Sequence, residues 1–212
     1  EMAALKWPTG FYVVDDFRLA LPADAPPVSA DLTVGLLTRE GEPIALPDGR
    51  EKINLEPIAI QQGGQPPVRL TAAQGQYRLG EHIALAGYEA AATTGENTRP
   101  AVALTLYWRA DAALATDYTV FAQVFDAKGQ MVGQVDGPAC DGSCPSSRWT
   151  PGGMIEDRRE IPLKDAPGLE GLRVSVGLYD PETDERLPVS DANGRETPDR
   201  AIQIEVASPR TR

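Results

Sequence analysis

Apolar and polar residues alternate along short stretches of this chain, and turn-forming residues interrupt the alternation roughly every 8–12 positions. The clearest stretch runs from Val102 to Arg109. Because successive side chains of a strand point to opposite faces, it predicts a strand with one apolar face. That face is formed by Val102, Leu104, Leu106 and Trp108.

Similar stretches predict further strands along the whole chain, and no long amphipathic helix is found. The predicted strands are Phe11–Phe17, Ala30–Leu37, Ile53–Ile60, Ile83–Ala90, Tyr118–Asp126, Met131–Asp136, Arg158–Leu163, Gly171–Tyr179 and Ile202–Val206. Asp126-Ala127-Lys128-Gly129 predicts a hairpin turn, with the glycine at a positive φ. The pattern is typical of an all-β protein, an antiparallel two-sheet sandwich with jelly-roll or immunoglobulin-like connections.

An internal repeat changes how the domains are counted. Matching segments recur in the same order from Trp7 and Trp149 onwards, 141 or 142 positions apart except for the last pair, which is 149 positions apart. They include Val13–Asp16 and Met154–Asp157, Leu32–Leu36 and Val174–Leu178, Leu46–Pro47 and Leu187–Pro188, and Ile53–Glu56 and Ile202–Glu205. The repeat predicts a partial copy at residues 1–60, a linker at 61–67 rich in Gln, Gly and Pro, and a complete β-sandwich domain at 68–208.

The partial copy raises a physical problem, because three strands cannot close a core between two sheets. They can pack on the complete domain, pair with another chain, or belong with sequence upstream of this chain. We expect them to dock on the following domain and to shield part of their apolar face there.

Charge and composition exclude several classes of protein. The 20 Lys and Arg residues against 31 Asp and Glu residues give a net charge of −11, which repels nucleic acid. No apolar run approaches the roughly 18–20 residues that cross a bilayer. One histidine and two cysteines are too few for a usual structural zinc site. The sequence predicts a soluble part of a longer protein, without metal or cofactor.

Several motifs of the complete copy occur in one characteristic order. They are Tyr118–Asp126, Gln134–Pro138, Ser146–Gly152, Val176–Pro181 and Glu185–Pro188. In this order the chain, from about Ile83 to Val206, resembles the extracytoplasmic C-terminal module of bacterial multi-pass membrane glycosyltransferases of the dolichyl-phosphate-mannose protein mannosyltransferase type. The resemblance implies an accessory role beside the membrane-embedded part of a parent protein, an extracytoplasmic location tethered to the membrane, and no catalytic activity.

The two cysteines depart from that family and carry their own alternatives. Cys140 and Cys144 are spaced C-x-x-x-C, one residue longer than the redox C-x-x-C motif, and lie in a predicted loop. A small structural disulfide suits this spacing and an oxidising location. Free thiols and metal binding are the alternatives.

No residue pattern indicates catalysis. The only histidine, His82, lies beside Glu81 at the start of a strand and is expected on the surface, and no nucleophile elbow or phosphate-binding loop occurs. Asp180–Glu185 alternates carboxylates as a calcium loop does, but it lacks the turn glycine, so a hairpin turn is favoured. The chain is therefore predicted not to be an enzyme, with no catalytic and no metal-binding residues.

Aromatic side chains are the remaining candidates for a binding site. Trp149 in a loop, Tyr107 on the polar face of its strand and Tyr179 are the candidate ligand-binding residues, because sugar rings stack on exposed aromatic rings. Trp149 recurs as Trp7 and can instead cover an edge of the sandwich. The leading hypothesis is a non-catalytic module that binds or positions a glycan or polypeptide acceptor for a membrane glycosyltransferase. The alternative is a structural spacer or protein–protein interaction module with no small-molecule ligand.

Overall fold

A computed structural model describes residues 16–23, 25–61, 77–94, 99–164 and 169–208. Within these ranges the chain forms fourteen strands, three short 3-10 helices and no α-helix. The all-β class predicted from the alternation is confirmed. The strands are β1 (Ser29–Ala30), β2 (Thr33–Leu37), β3 (Pro43–Ile44), β4 (Lys52–Asn54), β5 (Ile58–Ala59), β6 (Tyr77–Leu79), β7 (Ile83–Thr94), β8 (Pro100–Ala110), β9 (Thr119–Phe125), β10 (Met131–Gly137), β11 (Met154–Pro162), β12 (Arg173–Tyr179), β13 (Val189–Ser190) and β14 (Ile202–Glu205).

The strands pair antiparallel into four sheets. Five strands form one sheet in the order β11-β8-β7-β6-β13, and four form another in the order β10-β9-β12-β14. The amino-terminal strands form a smaller sheet in the order β3-β2-β4 and a two-stranded pair of β1 with β5. Residues 77–208, which carry the two large sheets, are called the larger unit below, and β3-β2-β4 the small sheet.

Both large sheets contribute side chains to one buried apolar cluster. The predicted apolar face of β8 lies in it, with Val102, Leu104, Leu106 and Trp108 at most 1% exposed. From the four-stranded sheet the cluster receives the inward residues of β9, β12 and β14: Val120, Ala122, Val124, Val174, Val176, Leu178, Ile202 and Ile204. The core of the larger unit is therefore built from side chains that are far apart in sequence.

The predicted turn between β9 and β10 is present. Gly129 has a φ of 79° and its amide donates to the carbonyl of Asp126, whose side chain accepts from the amides of Lys128 and Gln130. A side chain would be strained at this φ, which is why glycine occupies the position.

Some predictions fall on residues that the structure does not describe. These are most of the Phe11–Phe17 strand, Trp7, nearly all of the 61–67 linker and the start of the complete domain at residue 68. Asp16 and Phe17 are described and lie outside any strand. The structure also adds strands that the pattern did not predict, namely β3, β6 and β13.

Candidate functional site

The small sheet carries an apolar face that is open to solvent. Val34 and Leu36 point to the same side of β2 because they are two positions apart, and Ile53 and Ile44 lie opposite them on the neighbouring strands. Leu55 continues this side beyond β4. These five side chains, called the open face below, are 40–48% exposed.

The same arrangement in the larger unit is buried. On β12 and β14, Val176 lies opposite Ile202, just as Val34 lies opposite Ile53 on β2 and β4. Ser175 lies opposite Gln203, as Thr33 lies opposite Asn54. The side chains that correspond to the open face, Val176, Leu178, Ile202 and Ile204, are at most 1% exposed.

Backbone and ion-pair contacts join the described amino-terminal residues to the larger unit. Val28 forms a β-bridge with Trp149, and the amide of Thr150 donates to the carbonyl of Pro27. Arg148 bonds Asp31 through Nη2 and Oδ2 at 2.6 Å. Val28 is 8% exposed and belongs to the buried cluster. These contacts leave the open face uncovered.

Close approach at this junction depends on a glycine. A Cβ at Gly153 would lie 2.8 Å from the ring of Pro27, closer than real side-chain contacts. Glycine therefore allows the backbone after Trp149 to reach the amino-terminal region.

Cys140 and Cys144 form a disulfide, as predicted, in the loop that precedes Trp149. A buried carboxylate anchors this loop. Asp157 on β11 is fully buried and accepts hydrogen bonds from the amide of Cys140 at 2.9 Å and from Nε of Arg159 at 2.9 Å. Arg159 also donates to the carbonyls of Gly137 and Pro138. A buried charge needs such partners, and here they come both from the loop, at Pro138 and Cys140, and from the neighbouring strands.

The pair of Asp157 and Arg159 was not predicted, although the sequence contains a signal for it. Asp157 and Arg159 are in phase with Ile155 and Ile161, so they share the inward face of β11. A carboxylate and a guanidinium two positions apart on an apolar face indicate a buried ion pair.

Two of the three candidate aromatic residues are closed to a ligand. Trp149 is 3% exposed, and its Nε1 donates to the carbonyl of Cys144 at 2.8 Å. This corrects the expectation of an exposed ring in a loop: the indole is buried in the same apolar cluster as Val28. Tyr107 is 4% exposed because neighbouring strands flank it on both sides. Burial, together with the charges of Glu89 and Glu156, raises the pKa of Tyr107.

Tyr179 is the candidate aromatic that remains accessible. It is half-buried at the end of β12, with its ring centroid 6.5 Å from that of Phe121. It borders a shallow polar cleft, and neither Trp149 nor Tyr107 lines that cleft. The structure therefore does not bring the three predicted residues into one site.

His82 lies on the surface, as predicted. Its Nδ1 is 3.1 Å from Oδ1 of Asp111, and Nη2 of Arg78 donates to Oδ2 of the same carboxylate at 2.8 Å. The hydrogen bond from Arg78 lowers the pKa of Asp111, and the contact with His82 adds to the effect. This exposed cluster links β6 to the end of β8.

The Asp180–Glu185 segment forms the turn that the sequence favoured. The amide of Asp184 donates to the carbonyl of Asp180, and the Asp180 side chain accepts from the amide of Glu182. Among the described residues, no group of three or more His, Cys, Asp or Glu side chains is arranged to hold a metal ion. No helix in those ranges is long and apolar enough to cross a membrane.

Comparison with known proteins identifies no similar protein. The chain matches no family model, no curated protein and no solved structure.

Proposed function

We propose that this chain is a non-catalytic interaction module whose open face packs against an apolar β-sheet of a partner polypeptide. The observation that carries the proposal is the exposure of five aliphatic side chains on one side of the small sheet. A contiguous apolar surface of this kind is characteristic of an interaction site. Of the two hypotheses drawn from the sequence, it supports protein–protein interaction.

The proposal includes a finer description of the fold. Residues 77–208 form a two-sheet antiparallel sandwich with jelly-roll or immunoglobulin-like connections, and the amino-terminal region is a partial copy that docks on it. Support comes from the shared core of the two large sheets and from the identical register of β2 with β4 and of β12 with β14. The bridge between Val28 and Trp149 supports the docking.

The larger unit indicates the chemistry of the partner. There, the residues that correspond to the open face are buried in one cluster with Leu104, Leu106 and Trp108 of β8. A β-sheet face with large aliphatic and aromatic side chains at alternate positions would cover the open face in the same way. Burial of the exposed part of each side chain would contribute about 1 kcal/mol, since full burial of a Val, Leu or Ile contributes about 1.5–3 kcal/mol.

The wider setting of the proposal rests on the resemblance of residues 83–206 to the glycosyltransferase module. In that setting the chain is an extracytoplasmic accessory domain that positions a polypeptide acceptor or a neighbouring domain for a membrane-embedded transferase. The Cys140–Cys144 disulfide supports an oxidising compartment.

Site-specific photo-crosslinking tests the proposal in the cells that make the protein. A photoreactive amino acid replaces Leu36 on the open face, and in a matched control it replaces Met131, a 49% exposed apolar residue of the larger unit. We expect a crosslinked product with another polypeptide from position 36 and none from position 131. Peptide mapping should place the crosslink in a segment of alternating apolar residues.

Other results overturn the proposal in distinct ways. A product that contains only two copies of this chain would make the open face a self-association surface. A crosslink within one chain would mean that another part of the same chain covers the face. Equal products from both positions, or none from either, would remove the open face as a specific interface.

A further inference from the structure

The outward face of the four-stranded sheet carries a shallow cleft at the end opposite the β9–β10 turn. It has a volume of about 250 Å³ and is lined by Phe121, Gln123, Asp136, Tyr179, Asp184 and Arg186. Phe121 and Gln123 alternate along β9 with Val120, Ala122 and Val124 of the buried cluster, so they belong to the opposite side of the sheet, where the Phe121 side chain is itself only 1% exposed. This polar cleft is separate from the open face.

The aromatic floor of the cleft is held in place from both sides. The ring of Phe121 lies against Gly177, where a Cβ would be only 2.5 Å from the ring, so this position requires glycine. The guanidinium of Arg186 lies over the same ring, 4.1 Å from its centroid. A cation over an aromatic face is an attractive arrangement.

Further hydrogen bonds fix Arg186. Its Nη1 donates to the carbonyl of Asp199 at 3.2 Å, and its own carbonyl accepts from Arg200 at 2.8 Å. A donor that is already positioned loses less conformational entropy when a ligand binds. The cleft is therefore preorganised for a ligand that accepts hydrogen bonds at this point.

The other lining groups offer acceptors and an aromatic edge. Asp136 is exposed beside the cleft, and its carboxylate has no ion pair or side-chain hydrogen bond to any residue in the described ranges. Partial withdrawal from water raises the pKa of Asp136, while the charges of Arg159 and Arg186 oppose this rise. Asp184 and Gln123 add further oxygens, and Tyr179 contributes a half-buried ring.

The charged, polar and aromatic groups that line the cleft favour some classes of ligand over others. Two carboxylates disfavour a phosphate or another anion, and the scarcity of apolar lining disfavours a lipid. The ring hydroxyls of a sugar both donate and accept, so they can bond carboxylate, amide and guanidinium together, while its C–H face packs on a tyrosine. We propose that the cleft binds a hexopyranose unit of a glycan. This inference does not depend on a partner at the open face.

Nuclear magnetic resonance titration of the isotope-labelled chain tests the proposal. The probes are the methyl glycosides of glucose, mannose and galactose, added singly up to tens of millimolar. With at least one of them we expect saturable shifts at the amides of Gln123, Asp136 and Tyr179. Asp136→Asn and Tyr179→Ala should each weaken binding roughly tenfold or more, because a charged hydrogen-bond acceptor or the stacking ring is lost.

Gln203→Ala is the matched control, because Gln203 lies on the outward face of β14 and outside the cleft. It should leave the affinity unchanged. No saturable shift with any of the three glycosides, shifts centred elsewhere, or equal weakening by all three variants would overturn the proposal. If Tyr179→Ala loses its folded spectrum, the isosteric Asp136→Asn variant decides the outcome.

Discussion

The small sheet and the four-stranded sheet contain the same strand pair in two different surroundings. In β2 with β4 and in β12 with β14, branched aliphatic residues lie opposite one another in the same register. The aliphatic side chains are 40–48% exposed in the first pair and at most 1% exposed in the second. Similar local sequences therefore pair in the same register in both sheets, but they do not determine whether the aliphatic side chains are buried.

The register of a strand pair and the burial of its apolar side chains arise from different interactions. Alternating side chains and backbone hydrogen bonds within the pair determine the register, because a slip by one residue would move every apolar side chain to the other face. Burial requires further apolar side chains packed against the sheet, and those of β12 and β14 share one buried cluster with side chains of the five-stranded sheet. The described contacts between the amino-terminal region and the larger unit do not cover the apolar side of the small sheet.

The largest expected difference concerns two aspartates that end matching sequence segments, Val13–Asp16 and Met154–Asp157. Asp157 is fully buried and ion-paired with Arg159, whereas its counterpart Asp16 is exposed. Asp157→Ala should cost about 3–5 kcal/mol because it leaves a buried charge unpaired. Asp16→Ala should change stability by less than about 0.5 kcal/mol. Urea unfolding measures both values, and similar costs would show that the two positions are not distinguished by burial.

The corresponding leucines give a second, direct comparison. Leu178→Ala should destabilise the chain by about 2–5 kcal/mol, as a large-to-small change in a core does. Leu36→Ala should cost about 1 kcal/mol or less, because Leu36 is already 40% exposed. Unfolding free energies that are equal at the two positions would mean that the open face is covered in solution.

Removal of the disulfide tests the junction between the two regions. The Cys140→Ser, Cys144→Ser double variant should lose about 2 kcal/mol, since a short closed loop constrains the unfolded chain only modestly. The loop carbonyl of Cys144 holds Trp149, and Trp149 bridges Val28. We therefore expect faster hydrogen exchange at the amide of Ile60, which donates to Val28.

The matched control for this exchange measurement is the amide of Leu55, which donates to Leu32 beside the small sheet. Its exchange should not change on removal of the disulfide. Faster exchange at both amides would mean that the disulfide affects the whole amino-terminal region. Unchanged exchange at both would mean that the disulfide does not stabilise the junction.

The smallest expected effect concerns the ion pair between Arg148 and Asp31. Both side chains are about half exposed. A double-mutant cycle with alanine at each position should give a coupling of about 0.2–1 kcal/mol, decreasing as salt is added. A larger coupling that is insensitive to salt would show that the junction excludes water.

Much of the secondary structure could be predicted from the alternation of residue types. The long strands β7, β8, β9 and β12 were predicted because each has several apolar positions in phase. Strands β3, β6 and β13 have two or three residues, too few for a period to be recognised. The disulfide was predicted from its spacing, but the role of its loop in holding Trp149 was not.

The candidate sites were less predictable, because each depends on residues distant in sequence. Tyr179 was recognised as a candidate, yet its neighbours Phe121 and Arg186 come from another strand and from a later connection. Trp149 was expected in a loop, and it is in one, but its ring is buried and its backbone pairs with Val28, more than a hundred positions earlier. No local pattern reports such a contact.

By itself the sequence determined the all-β class, most strand positions and the side of each strand that is apolar, because these depend on the period of neighbouring side chains. Only the tertiary structure decided which apolar side is covered and which aromatic rings are accessible. The physical reason is that solvent exposure depends on the layer that packs across a sheet. The apolar residues of β12 share a buried cluster with residues of the five-stranded sheet, and among the described residues no β2 side chain belongs to that cluster.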